Sequence, residues 1–378
     1  MDLEQLAVIC LVGLAGPLLA ARKAWHLPVV LGELAAGIAL GRTGIGYLDP
    51  SDRTFAFLAN VGFALVMFVA GTHVPVRNPH LRPALRLGLV RAVLVGGVAA
   101  AMGVGLALLS GIPHAPLFAV LMASSSAALI LPIVDSLRLG GDRVLALLPQ
   151  IAIADAACIV ALPLAMDPAH AVRAAAGALL VIAAAAVVYV VLRRLEESGV
   201  RQRVHKVSEK RRFAVELRVQ LTVLFALAAL AVHARVSIML AGFALGLVVE
   251  AIGEPRRLAN QLFAITEGFF GPVFFVWLGT ELQLRELGSH PRLILLGLGL
   301  GLGAVLAHLG AVATRQPASL GLLASAQLGI PVAAATIGSQ LHVLRPGEAS
   351  AIMLGALVCI GLAVAGGALA SQRRGGEL

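Results

Sequence analysis

Few polar residues of this sequence lie within its long apolar stretches, and these few are the candidates for a functional role. The clearest candidate is Asp155, in the apolar segment 149–163 with no basic residue within one helical turn on either side. An ionisable group at the centre of a membrane span costs about 2.5–3.5 kcal/mol on insertion scales, so such groups are functional candidates by default. We therefore expect Asp155 to bind a proton or a cation. The alternative is a structural Asp paired with a hydroxyl on another helix.

Two further apolar segments contain polar residues and a proline in matching positions. The first has Ser124–Ser126 followed by Pro132, and the second has Ser325 and Gln327 followed by Pro331. Serine hydroxyls compete for backbone hydrogen bonds and proline removes an amide donor, so both helices are expected to be interrupted. Paired interrupted helices are the best sequence indication of a transporter's binding site. These serines and Gln327 are candidate ion ligands; alternatively, the serines only allow close helix packing.

Three isolated polar residues could tune such a site. His308 lies deep in a later apolar segment, and Glu33 and Asn60 lie in the second and third segments. The alternative for each is a structural hydrogen bond between helices. The sequence has no phosphate-binding Gly-x-x-x-x-Gly-Lys motif, no His-Glu-x-x-His and no Cys-x-x-Cys, so we expect no cofactor and no enzymatic activity.

The composition indicates an all-α polytopic membrane protein. Of the 378 residues, 59% are hydrophobic and 13% are charged, and the mean hydropathy is +0.94. Soluble proteins average roughly 45–50% apolar and about 25% charged residues, so a soluble enzyme, a DNA-binding domain and a disordered chain are poor interpretations. The net charge of +9 is expected to set loop orientation in a lipid bilayer rather than to bind nucleic acid.

Polar residues divide the chain into thirteen candidate spans, since a span needs about 20 mostly apolar residues. They are residues 3–21, 27–41, 54–74, 84–110, 115–137, 144–166, 170–192, 213–233, 236–252, 260–283, 291–313, 317–338 and 347–370. We predict a first transmembrane half at 1–192 (helices 1–7), a basic cytoplasmic linker at 193–212, a second half at 213–372 (helices 8–13) and a short cytoplasmic tail at 373–378. The first span is expected to be retained, because its basic residues follow it.

The distribution of basic residues predicts the orientation. Lys and Arg are concentrated in the odd-numbered connections and in the tail, above all in the run from Arg193 to Arg212. Cytoplasmic loops carry the excess of Lys and Arg. We therefore expect a multi-pass protein of the cell (inner) membrane with its N-terminus outside and its C-terminus in the cytoplasm.

The sequence also contains a weak internal repeat. Residues 31–37 resemble residues 240–246 at an offset of 209, and residues 68–74 resemble residues 276–282 at an offset of 208. Residues 122–124 with Pro132 resemble residues 323–325 with Pro331. Because seven spans, an odd number, separate the partners, the two halves would be inverted. Inverted repeats are typical of secondary transporters.

Several segments, in this order and spacing, resemble the bacterial monovalent cation/proton antiporters, the sodium/proton and potassium-efflux exchangers. The segments are 27–37, 63–71, 124–127, Ala154-Asp155 and 270–275. The resemblance implies a homodimer whose protomers have a dimerisation bundle and a core bundle with two crossing, broken helices. It places the breaks at Ser124–Ser126 and near Gln327, and it makes Asp155 the shared carrier of H⁺ and of Na⁺ or K⁺.

This chain departs from the family pattern at three places, one of which is the segment Gln327-Leu328-Gly329, where members often carry Arg or Gln-Gly-Glu. Ala154 stands where many members have a second acid, and His308 stands where many have a basic residue. The resemblance and the single acid together predict electroneutral exchange by alternating access. The alternatives are a Na⁺-coupled symporter of an organic anion with a similar crossed-helix fold, and a channel or non-transporting membrane sensor.

Overall fold

The computed structural model describes residues 1–21, 29–72, 81–137, 139–166, 171–199, 213–234, 236–253, 256–282, 284–289 and 291–375. In these ranges the regular structure is entirely helical. Ten helices there are long and apolar enough to cross a membrane, and two apolar helices, Val29–Leu40 and Ile238–Ile252, are shorter. A thirteenth crossing is made by two half-helices that lie end to end. The thirteen expected spans are therefore confirmed.

We number the helices by span. They are α1 (Leu3–Gly13 and Ala15–Ala20), α2 (Val29–Leu40), α3 (Arg53–Thr72), α4 (Leu81–Ser110), α5a (Ala115–Ala123), α5b (Ala127–Ser136), α6 (Leu147–Met166), α7 (Ala171–Glu197), α8 (Val215–His233), α9 (Ile238–Ile252), α10 (Arg256–Ile265, a π-helical turn Thr266–Phe270, and Gly271–Glu281), α11 (Pro291–Leu309), α12a (Ala318–Ala324), α12b (Gly329–Gln340) and α13 (Glu348–Gly375). Short helices lie at Asp142–Leu145 and Leu284–Ser289, and a 3₁₀ turn, Gly310–Thr314, follows α11.

The helices pack into two bundles. The scaffold bundle consists of α1, α2, α3, α8, α9 and α10, and the core bundle consists of α4, α5, α6, α11, α12 and α13. Helix α7 packs on α8 and α9 of the scaffold and also contacts α6 of the core. Both broken helices belong to the core bundle, so the scaffold supplies the opposite wall of any space beside the breaks.

Glycine pairs show how the repeat shapes the scaffold bundle. Helices α2 and α10 meet at Gly37 and Gly279, and helices α3 and α9 meet at Gly71 and Gly246. A Cβ on any of these four glycines would lie 2.7–2.9 Å from the Cα of its partner. The repeat relates Gly37 to Gly246 and Gly71 to Gly279, so the two contacts are the same contact formed twice. The weak sequence repeat thus corresponds to a packing repeat.

Two predicted boundaries differ from the structure. Helix α7 continues to Glu197, five residues into the predicted linker 193–212, and Arg193 Nε lies 2.9 Å from the Glu197 carboxylate. Oppositely charged side chains one turn apart favour an additional helical turn. Residues 200–212 of the linker lie outside the described residues, as do residues 376–378 of the predicted tail, whose first part is helical to Gly375. The division into halves at 1–192 and 213–372 stays a prediction.

Candidate functional site

The two broken helices cross at their breaks. Helix α5 is interrupted between Ala123 and Ala127, and helix α12 is interrupted between Ala324 and Gly329. The backbone N–H of Ser126 in one break donates to the carbonyl oxygen of Ala326 in the other at 2.8 Å. The predicted pair of crossing, broken helices is therefore confirmed, and we call residues 124–126 and 325–328 the crossing.

Two buried serines fasten the crossing through their side chains. The Ser125 hydroxyl donates to the carbonyl oxygen of Ala324 at 2.7 Å. The Ser124 hydroxyl donates to the side-chain amide oxygen of Gln327 and also lies 3.0 Å from the carbonyl oxygen of Leu121. A hydroxyl that donates its proton keeps two acceptor lone pairs. Both serine oxygens could therefore still act as ligands of a cation.

The remaining candidates of the crossing have different surroundings. The Ser325 hydroxyl donates to the carbonyl oxygen of Leu322 at 2.7 Å, so it satisfies the end of its own half-helix. The amide nitrogen of Gln327 donates to Cys359 Sγ at 3.3 Å, and this thiol donates to the carbonyl oxygen of Gly301 at 3.4 Å. Cys359 thus connects the crossing to α11 and α13. The absence of a Cys-x-x-Cys motif in the sequence gives no indication of this role.

Asp155 lies on α6, beside the start of half-helix α5b. Its side chain is 6% exposed, and its carboxylate accepts a hydrogen bond from the backbone N–H of Ala127, the first residue of α5b. The first N–H groups of a helix lack intrahelical partners and carry a partial positive charge. The N-terminus of α5b therefore offers this carboxylate an electrostatic partner. This partner is a backbone group and not a side chain, so it cannot be recognised in the sequence.

His308 is fully buried in α11 and contacts the crossing. Its Nδ1 lies 2.9 Å from the carbonyl oxygen of Ala304, and its Nε2 lies 3.0 Å from the Ser125 hydroxyl oxygen. Since a carbonyl only accepts, Nδ1 must carry a proton. In neutral His308 the Nε2 atom is then an acceptor, and it competes with the Ala324 carbonyl oxygen for the one proton of the Ser125 hydroxyl.

A cavity of about 340 Å³ lies between the two bundles and reaches the crossing. Its core wall includes Ser126, Ala127, Leu328 and Gly329, and its scaffold wall includes Glu33, Phe63, Thr266, Glu267 and Phe274. The rings of Phe63 and Phe274 stack at a centroid distance of 4.8 Å, which makes part of the scaffold wall apolar.

Other polar residues lie away from the crossing. Asn60 is exposed and is not among the residues that line the cavity, so the structure does not bring it to the crossing. Gln150, one and a half turns before Asp155, is buried, and neither its amide nitrogen nor its amide oxygen has a hydrogen-bond partner in the described ranges. Sequence reasoning did not select Gln150, because a neutral amide near a span end gives little signal.

A second cavity, of about 510 Å³, lies at the far end of α12b. Its polar lining includes Glu281, Thr336, Ser339, His342 and Arg345. Ser339 is ten residues, or about 15 Å of helix, from Gly329 at the crossing. The first cavity, and not the second, is therefore the one in contact with the crossing.

Two crossed, broken helices beside a buried carboxylate, in a helical membrane protein with an internal repeat, define the architecture of a secondary transporter. The family model for the transmembrane sodium/hydrogen exchangers matches residues 6–370. The chain belongs to this family of transmembrane antiporters.

Curated relatives agree with the family. The chain is 24% identical, over 94% of its length, to YjbQ of Bacillus subtilis (strain 168), a protein named as a candidate Na⁺/H⁺ antiporter. It is 25% identical, over 85% of its length, to a protein of Methanocaldococcus jannaschii named as probable Na⁺/H⁺ antiporter 3. The chain spans 61% of the length of the first relative and 85% of the length of the second.

Solved structures share the fold. The sodium proton antiporter MjNhaP1 of Methanocaldococcus jannaschii at pH 8 matches with a TM-score of 0.65 and 14% identity, covering 96% of this chain and 94% of that one. An electron-microscopy structure of MjNhaP1 matches with a TM-score of 0.68 and 16% identity, covering 100% and 99%. Similarity at this level of identity establishes the fold and leaves residue roles to the site geometry.

Proposed function

We propose that this protein exchanges Na⁺ for H⁺ across the cell (inner) membrane and that Asp155 carries both ions in turn. The observation that supports this most directly is the position of Asp155 beside the N-terminus of α5b, where Ala127 donates to its carboxylate. The same residue, Ala127, also lines the cavity. A cation or proton that enters the cavity therefore reaches Ala127, the residue that is hydrogen-bonded to the buried acid.

The exchange follows from competition for one carboxylate. Ionised Asp155 binds a cation, and the hydroxyls of Ser124–Ser126 with the carbonyl ends of the broken helices provide neutral oxygen ligands. Ser325 and Gln327 hold the second break in place through their hydrogen bonds. When Asp155 takes up a proton, it loses the charge that holds the cation, so the cation leaves. K⁺ is the alternative cation for the same site.

Alternating access would be produced by movement of the core bundle against the scaffold bundle. The cavity lies at this boundary and contacts the crossing from the end where α2 begins. By the predicted orientation, with the N-terminus outside and the C-terminus inside, this end is cytoplasmic. In the complementary state the second cavity, at the far end of α12b, would extend to the crossing instead. We propose that the protein works as a homodimer.

Proton flux in proteoliposomes tests the proposal. Addition of Na⁺, K⁺ or Li⁺ to vesicles with an acidic interior should release protons, as reported by an internal pH dye. Asp155→Asn should abolish this signal while leaving monodispersity and thermal stability in detergent intact. Asp49→Asn, the same change at an exposed loop residue, is the matched control. Full exchange by a well-folded Asp155→Asn protein would refute the mechanism, and cation uptake that depends on an organic anion would favour the symporter.

A further inference from the structure

The cavity has a second group of oxygen atoms, on its scaffold wall. Glu33 of α2 and Thr266 and Glu267 of α10 line it, whereas Asp155 belongs to α6 of the core bundle. Glu267 is exposed and acts electrostatically on Glu33, so the two carboxylates face the same space. We call these three residues the scaffold cluster.

Glu33 is buried, and no group that would neutralise it lies among the described residues. Its side chain is 3% exposed, and the charged group that acts on its carboxylate is Glu267. This charge has the same sign. A buried carboxylate is expensive unless it is paired or coordinates a metal ion. The Glu33 carboxylate thus occupies an oxygen-lined position that a cation would complete.

Thr266 provides independent support for a ligand at this position. It is 2% exposed, and its hydroxyl has no hydrogen-bond partner among the described residues. It also begins the π-helical turn Thr266–Phe270, and turns of this kind are found frequently at functional sites. The hydroxyl therefore remains available next to the two carboxylates.

The internal repeat shows that packing alone does not explain Glu33. Its equivalent in the second half is Gly242, where a Cβ would lie 2.3 Å from the carbonyl oxygen of Ala64, so that helix pair is closed. In the first half an acid and a cavity take the place of this contact. The stem of Glu33 is held by Gly16 of α1, where a Cβ would lie 2.9 Å from Glu33 Cγ.

We propose that the scaffold cluster is a second binding site for a monovalent cation, from which the ion passes to Asp155. This rests on the proposed exchange function. Carboxylate and hydroxyl oxygens suit a hard cation, and Ca²⁺ would need six to eight oxygen ligands. Groups of three or more Asp, Glu, His or Cys that could hold a metal ion are absent from the described ranges, which favours a monovalent ion. The scaffold cluster belongs to the scaffold bundle. It would therefore bind cations that enter the cavity while the core bundle moves, and it would not itself carry them across the membrane.

Thallium(I), whose anomalous scattering locates it directly, tests the site. Crystals of the wild type and of Asp155→Asn soaked in Tl⁺ should both show a peak between Glu33, Thr266 and Glu267. The peak should disappear in Glu33→Gln and weaken in Thr266→Val, which provides a second variant if the first does not fold. Absence of the peak in the wild type, or its persistence in Glu33→Gln, would overturn the proposal.

Transport kinetics separate this site from the proposed function. With Na⁺ supplied at the cavity side, Glu33→Gln should raise KM roughly tenfold, the effect of one lost charged ligand, and leave kcat within about twofold. Asp49→Asn, at an exposed loop acid that lines neither cavity, should leave this KM unchanged. A fall in kcat with unchanged KM would assign Glu33 a structural role. Exchange that survives in Asp155→Asn would refute the carrier mechanism, whereas the Tl⁺ peak and the KM of Glu33→Gln decide the scaffold cluster.

Discussion

The hydroxyl oxygen of Ser125 lies 3.0 Å from His308 Nε2 and also 2.7 Å from the carbonyl oxygen of Ala324. A serine hydroxyl has one proton to donate. When His308 is neutral, with its proton on Nδ1, Ser125 can donate to Nε2 or to Ala324 but not fully to both. When His308 carries two protons, Nε2 donates to Ser125 and Ser125 donates to Ala324. Protonation of His308 therefore completes the hydrogen bonds that fasten the crossing.

This relationship predicts that His308 affects the pH dependence of transport. His308→Gln keeps a polar side chain but cannot titrate, so the activity–pH midpoint should move while the maximal rate at the best pH changes little. The measurement is cation-driven proton flux between about pH 4 and pH 8. His233→Gln, at an exposed histidine on α8, serves as the control. An unchanged midpoint in His308→Gln would leave His308 with a purely structural role.

Cys359 is predicted to stabilise the crossing through its thiol. Cys359→Ala leaves the Gln327 amide and the Gly301 carbonyl oxygen without this partner, and an unpaired buried polar group costs about 1–3 kcal/mol. Cys359→Ser restores a donor and an acceptor and should recover most of the loss. Thermal unfolding in detergent measures the effect, with Cys10→Ala as the control because Cys10 is exposed. Equal stability of Cys359→Ala and the wild type would contradict this role.

The close contact between α3 and α9 predicts that Gly246 does not accept a side chain. In Gly246→Ala the new Cβ would lie 2.2 Å from the carbonyl oxygen of Phe68, so the helices must move apart. Overpacking of this kind typically costs about 1–3 kcal/mol. The unfolding temperature in detergent should therefore fall.

A matched glycine separates this effect from helix propensity. At Gly105 of α4 a Cβ would meet nothing within 4 Å, so Gly105→Ala should be neutral or stabilising. An unfolding temperature that changes equally in the two variants would show that the α3–α9 contact is not the cause.

Sequence patterns predicted the parts of the fold that depend on local chemistry. The break in α5 follows from three adjacent serines, and the break in α12 from Ser325 and Gln327 close to Pro331, because these residues weaken helical hydrogen bonding wherever they occur. Span lengths follow from apolar runs of the length that a bilayer requires. The repeat was visible because close helix contacts need glycine at fixed positions, as Gly37 and Gly246 show.

The parts that depend on tertiary partners could not be predicted. The hydrogen bond from Ala127 to Asp155 is made by a backbone group, which every residue has. Thr266 and Cys359 lie in apolar surroundings that give no indication of their neighbours. Asn60 was a candidate because it is polar within a span, but the sequence does not show which side of α3 is exposed. The faces of a helix in this apolar chain differ little in hydrophobicity, so the sequence does not indicate which face is buried.

The last prediction concerns the charge that moves in each cycle. Ala154 occupies the position of a second acid in many related antiporters, so Asp155 is the one carboxylate of this pair. A single carboxylate holds one proton or one monovalent cation, and the carrier is neutral in both loaded states. Glu33 belongs to the scaffold bundle, so its charge would not cross with Asp155. Exchange should therefore be electroneutral.

A membrane potential distinguishes the neutral cycle from a charged one. Movement of one net charge per cycle would couple transport to voltage by about 2.3 kcal/mol per 100 mV. A potassium–valinomycin diffusion potential should consequently leave the rate of Na⁺-driven proton flux unaltered, compared with the same K⁺ gradient without valinomycin. A potential-sensitive dye verifies that the potential has formed. A transport current on a supported membrane that accompanies Na⁺ addition and reverses with voltage would contradict the prediction, because it requires a second titrating group to cross with Asp155.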